Sequence, residues 1–171
     1  VHFNALFLAY CGVLGLSFYG LLAGLPSLPV QEMAARYGPR APVKAIAGVF
    51  LLIAFVFAAL WLAEIVPALL SGRTPESLAQ TGLFVNPVHV LDLSFLLPAF
   101  VIAAVLLLRA RPAAFVLAPV LMVFAILMTA AIAGMMLSMA LHGFATSYAM
   151  AVLFFTAAAG CALLLFRYLR G

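Results

Sequence analysis

The sequence predicts an all-α integral membrane bundle of five transmembrane helices, on three observations. Of its 171 residues, 69% are hydrophobic and only 7% carry a formal charge, against about 45–50% apolar and roughly 25% charged in an average soluble domain. The mean hydropathy is +1.34. The apolar residues gather into five runs, each long enough to cross a hydrocarbon core of about 30 Å, which takes roughly 20 residues at helical rise. Eight basic and four acidic side chains cannot cover a water-soluble globule of this size. An ordinary soluble enzyme, a disordered chain and a disulfide scaffold are thereby excluded.

The runs lie at about 3–25, 43–70, 87–108, 112–141 and 147–166. A membrane β-barrel does not fit, because a stretch such as Gly48–Ala63 shows no polar alternation. Pro26 ends the first run. Residues Ser27–Gly38 then read as a short amphipathic helix stopped by a glycine. Thr74-Pro75-Glu76 opens a short turn that ends near Gly82. Asn86-Pro87 offers an N-cap followed by proline at the first helical position, where its missing N–H costs nothing. Arg111-Pro112 separates the third run from the fourth in the same way. Pro67, Pro98 and Pro119 fall inside apolar runs and are tolerable where neighbouring helices satisfy the freed carbonyls.

Charge orients these spans. Arg36, Arg40 and Lys44 follow the first, Arg109 and Arg111 the third, Arg167 and Arg170 the fifth; the opposite side holds only Arg73. The positive-inside rule places the C-terminus in the cytoplasm and the N-terminus outside. The net charge of +4 therefore reads as a topology signal and not as a nucleic-acid footprint. The expected partner is the lipid bilayer, with other membrane subunits as further candidates, and the expected location is a bacterial inner (cytoplasmic) membrane, crossed several times. The whole of 1–171 reads as one transmembrane domain. Val1 has neither a Met nor a charged leader before it, which suggests the C-terminal part of a longer membrane protein; the alternative is direct N-terminal insertion driven by the short neutral end.

Close helix packing in lipid relies on small residues. Candidate stripes are Gly12, Gly20 and Gly24 in the first span and Ala130, Gly134 and Ser138 in the fourth. Packing within the bundle is the leading reading, and docking of a second subunit the alternative.

The rare polar residues share one side. Glu64 lies about six residues, or roughly 9 Å, below the outer end of the second span. His89 and Asp92 lie in the first two turns of the third span, three residues apart on one face. His2, Glu76 and His142 fall on the same outer half, leaving Glu32 as the one cytoplasmic acid. An ionisable residue inside a membrane is a functional-site hypothesis by default, and Asp92 could hold the imidazole in one tautomer. Glu64, His89 and Asp92 are thus the candidate polar site. The competing reading puts His89 and Asp92 at a wet helix end, where a carboxylate suits the dipole, and pairs Glu64 with Arg73 or with the interface. A second candidate, a soft copper(I)-type ligand set, is Met135, Met139 and His142, spaced four and three apart; methionine as a core filler is its commoner role.

Other chemistries find no support. No phosphate loop, HExxH, GxSxG or CxxC sequence is present. Cys11 and Cys161 read as buried free thiols at different depths. No catalytic constellation is recognisable, and the sequence requires no cofactor.

The segment NPVHVLDLSFLLP (Asn86–Pro98), with RARP (Arg109–Pro112) and LAPVLM (Leu117–Met122), resembles a group of uncharacterised bacterial multi-pass membrane proteins. NALFLAY (Asn4–Tyr10) and EIVPALL (Glu64–Leu70) are similar to segments of the same group. The resemblance implies the helical membrane fold over most of the chain, with further spans upstream, and implies no activity. The leading functional expectation is a non-enzymatic protein, either a subunit of a larger membrane complex or a small transporter-like bundle with an outward-facing polar site. The alternative is an intramembrane enzyme or a redox or metal-binding protein using the outer His and carboxylate residues.

Overall fold

The computed structural model describes residues 7–24, 27–35, 41–144 and 146–170. Every regular element among them is helical: α1 (Phe7–Gly24), α2 (Val30–Ala35), α3 (Val43–Ser71), α4 (Glu76–Thr81), α5 (Pro87–Leu91), α6 (Leu97–Leu108), α7 (Pro112–Leu141) and α8 (Tyr148–Arg170). A π-helical turn, Asp92–Leu96, joins α5 to α6. Among the described residues, four segments are long and apolar enough to cross a membrane: Val43–Ser71, Pro87–Leu108, Pro112–Leu141 and Tyr148–Arg170. That fits a membrane protein. The first expected span corresponds to α1, 18 residues long; it is not among these four, and part of 3–25 falls outside the described residues. Arg167 and Arg170 occupy the last turn of α8 and carry that helix past the expected end at 166. Cations suit a helix C-terminus, and the Arg170 guanidinium lies 4.0 Å from the centre of the Phe166 ring.

Contacts between helices set the register. The Phe50 and Phe100 rings meet at 5.1 Å and the Trp61 and His89 rings at 4.4 Å, so α3 runs antiparallel to α5–α6. Tyr168 of α8 reaches Phe115 of α7 at 3.0 Å. The core gathers at the end of the bundle where α3 begins and α6 ends. Ile46, Phe50, Phe100, Leu107 and Met122 are all at most 1% exposed, whereas α3 buries no residue beyond Ala54. The bundle is therefore tight at one end and looser at the other.

Alanines make the close approaches. Ala47, Ala103, Ala104, Ala114 and Ala118 are each at most 1% exposed, and a methyl side chain lets backbones approach without the helix cost of glycine. The expected glycine stripes, as far as they are described, lie away from these contacts. Gly20, Gly24 and Gly134 are exposed with nothing within 4 Å of where a Cβ would stand. Ser138 is exposed and Ala130 half-buried. Gly12 lies in α1, and its surroundings fall outside the described residues. The described large apolar side chains of α1, such as Leu16 and Tyr19, are exposed.

Three of the described helix ends close on a left-handed glycine, Gly82 (φ 65) after α4 being one of them. Gly72 (φ 62) ends α3, with Arg73 N–H donating to Ala68 O, and Gly143 (φ 78) follows α7, with Phe144 N–H donating to Met139 O. The end of α6 makes the same pair of bonds without a glycine. Ala110 N–H donates to Leu107 O and Arg111 N–H to Leu106 O, while Ala110 takes φ 50. An L-residue in that region costs roughly 1–2 kcal/mol. Ala110→Gly is therefore expected to raise stability by about 1 kcal/mol, read as a higher midpoint in an SDS titration. An unchanged or lower midpoint would contradict it.

Candidate functional site

The structure brings Glu64, His89 and Asp92 together around a side chain outside that trio, Trp61. Trp61 and Glu64 lie three apart on α3, as His89 and Asp92 do across α5 and the π turn, so each pair shares a helix face. Antiparallel packing then sets the two faces against each other. Trp61 Nε1–H donates to Asp92 Oδ2 at 3.0 Å. The indole lies on the His89 imidazole, ring centres 4.4 Å apart and planes tilted by 40°. His89 Nε2 is 3.9 Å from Glu64 Oε2, an ion pair when the imidazole is protonated. His89 is the buried polar residue of this group, 7% exposed.

Local sequence explains each placement. Asn86 Oδ1 accepts from Val88 N–H at 3.0 Å and starts α5, with Pro87 in its first turn; His89 then falls on the first turn, facing α3. The π turn begins at Asp92, and Leu97 N–H donates to Asp92 O across the wider loop. Immediately beyond stands Pro98, whose ring clashes with the carbonyl four residues back in a straight α-helix. A widened turn before the proline relieves that clash, and such turns recur at functional positions. Glu64 is held from the connecting loop: Ser77 N–H, in the first turn of α4, donates to Glu64 Oε1 at 3.1 Å. First-turn N–H groups have no partner within their own helix, so the carboxylate caps α4 with one oxygen and faces His89 with the other. Among the described residues its ion contact is with His89, not with Arg73.

A small cavity of about 60 Å³ adjoins this cluster, and Asp92 belongs to its wall. The cluster therefore has a polar rim of Glu64 and His89 and, past Asp92, a mostly apolar chamber between α3, α6 and α7.

The other expected residues do not join it. His142 turns Nδ1 towards Ser138 O at 2.8 Å on its own helix, leaving Nε2 for any other partner. Met135 and Met139 are exposed at 57% and 39%. Among the described residues no group of three His, Cys, Asp or Glu stands close enough to hold a metal ion. His2 lies outside the described residues. Cys161 is a buried free thiol.

Sequence reasoning missed Trp61 and Ser77. Trp61 is the one tryptophan of the chain and stands three residues from a rare intramembrane acid, which was the available signal. Ser77 carried none, because a loop serine thirteen residues from Glu64 gives no local sign of the contact. Comparison with protein-family models, curated proteins and solved structures returns no match to this chain.

Proposed function

We propose that this chain is a non-enzymatic, transporter-like membrane bundle whose Glu64–His89–Asp92 site, built on Trp61, faces the outer side and handles a cation. The observation that supports it most is the chain of contacts that links three ionisable side chains from two consecutive spans: Asp92 and His89 each meet the Trp61 indole, and Glu64 faces His89. Ionisable groups at such depth are costly, and those that persist mark ion or substrate pathways. The orientation rests on the basic residues: Lys44, Arg109, Arg111, Arg167 and Arg170 stand at the tight end, and Arg73 follows α3 at the loose end. By the positive-inside rule the site then opens outward, in an inner membrane of a bacterial cell. Protonation of His89 pairs it with Glu64 and changes the charge within the bundle. The loosely packed end is where such a change can be answered by helix movement.

The reading is tested in proteoliposomes on a solid-supported membrane. An acid step imposed on the outer side is expected to displace charge transiently, His89 being the group of the site that gains charge on protonation. His89→Gln and Glu64→Gln are expected to lose most of that displacement. The same acid step should quench Trp61 fluorescence in the parent and not in His89→Gln, because a protonated imidazole quenches a stacked indole. Equal displacement in the parent and both variants would sink the reading.

A further inference from the structure

The cavity beside the polar cluster has a wall chemistry of its own. Asp92 is its carboxylate, and Oδ2 already accepts the Trp61 N–H. A carboxylate offers about four lone-pair positions, so one donor leaves most of its capacity unused. Thr129 is the other polar lining residue, and its hydroxyl donates back to Ala125 O at 2.7 Å. That commits its hydrogen and leaves its oxygen as an acceptor. Aromatic and thioether groups complete the wall, chiefly Phe57, Phe100, Phe124 and Met128. No side-chain N–H lines the chamber, and both polar groups present acceptors.

A lining that only accepts, contains a carboxylate and is otherwise aromatic selects against anions and against neutral acceptors. It suits a cation that carries N–H donors. The carboxylate meets the charge with a short, charge-assisted bond, and ring faces attract a desolvated cation. Size narrows the choice. At about 60 Å³ the enclosed part is well below the roughly 150 Å³ that accommodates benzene, so it seats a head group of two or three heavy atoms, while the open side leaves room for a tail to project. Water alone would satisfy Asp92 and Thr129 but gains nothing from the aromatic wall.

We infer that this cavity is a binding site for a small primary alkylammonium ion, with Asp92 as its counter-ion and the Thr129 hydroxyl oxygen as a second acceptor. The inference rests on the cation-handling reading above and specifies its ligand class. It places the ligand past Asp92, away from the Glu64–His89 rim, so binding and proton-driven displacement use different residues.

The test is equilibrium binding of radiolabelled methylammonium to the full chain in lipid nanodiscs. Saturable binding is expected, competed by ammonium and ethylammonium and not by tetramethylammonium, which has no N–H and exceeds the chamber. Asp92→Asn keeps an acceptor for the Trp61 N–H while removing the charge, and is expected to weaken binding roughly tenfold or more. Thr129→Val should weaken it severalfold and Thr129→Ser restore it. Maleimide labelling of buried Cys161 in a Cys11→Ser background reports whether each variant is folded. Three results would each overturn the site: no saturable binding by the parent, parent-like affinity in both Asp92→Asn and Thr129→Val, or equal competition by tetramethylammonium. Charge displacement that persists without methylammonium binding removes this inference and leaves the proposed function standing; loss of displacement removes the function itself.

Discussion

Tyr168→Ala is expected to cost about 3–5 kcal/mol, with Tyr168→Phe accounting for about 1–3 kcal/mol of it. Tyr168 is fully buried, 0% exposed, and its hydroxyl donates to Phe115 O at 3.0 Å. That carbonyl lies four residues before Pro119, which sits inside α7 and has no N–H to return to it. The α8 hydroxyl thus replaces a bond that the α7 backbone cannot make. In lipid this matters more than in water, since no solvent competes for the carbonyl. The mechanism has a specific signature. In a Pro119→Ala background the helix recovers its own donor, so Tyr168→Phe should become nearly neutral while Tyr168→Ala still loses its packing. SDS titrations followed by far-UV circular dichroism measure the cycle. Equal costs for Tyr168→Phe in both backgrounds would show that Pro119 and Tyr168 are not coupled.

Trp61→Ala is expected to destabilise by about 3–5 kcal/mol, the usual range for truncating a large aromatic. Two contributions add. The hydrogen bond to Asp92 is of the charged-acceptor kind, worth about 1.5–3 kcal/mol. The stacks on His89 at 4.4 Å and against Phe57 at 5.9 Å contribute about 0.5–1.5 kcal/mol each in aromatic pairs. Trp61→Phe keeps a ring over the imidazole and loses the donor, so it should fall between the parent and Trp61→Ala. The Cys161 labelling rate in SDS follows all three without relying on tryptophan emission. A Trp61→Ala midpoint equal to the parent's would mean that the indole does not join α3 to α5.

Most of the helical architecture was legible along the chain because hydropathy and punctuation are local properties. Asn86-Pro87 marks the start of α5, and the structure shows its capping bond. Gly72, Gly82 and Gly143 stand where helices end. The trio Glu64, His89 and Asp92 was legible because membrane depth can be counted from the span ends and intramembrane acids are few. Trp61 was not, since a tryptophan near a span end reads first as an interfacial anchor, and only antiparallel packing turns it toward Asp92. The role of the glycine stripes was not legible, for a related reason. Spacing tells which residues share a face, but not which face meets a neighbour.

The sequence by itself determined a helical chain of apolar composition, the extent of four helices long and apolar enough to cross a membrane, and the asymmetry of its basic residues. Composition, run length and charge order are enough for those, because the bilayer imposes length and satisfied backbone bonds on any segment that crosses it. Only the tertiary structure decided that alanines make close contacts among the described residues, that Tyr168 serves the carbonyl before Pro119, and that Trp61 joins Asp92 and His89 beside a small acceptor-lined chamber. Each of these depends on the rotation of one helix about its axis relative to another. In lipid every apolar face is solvated about equally well, so hydropathy carries no information on that rotation, and the packed contacts alone set it.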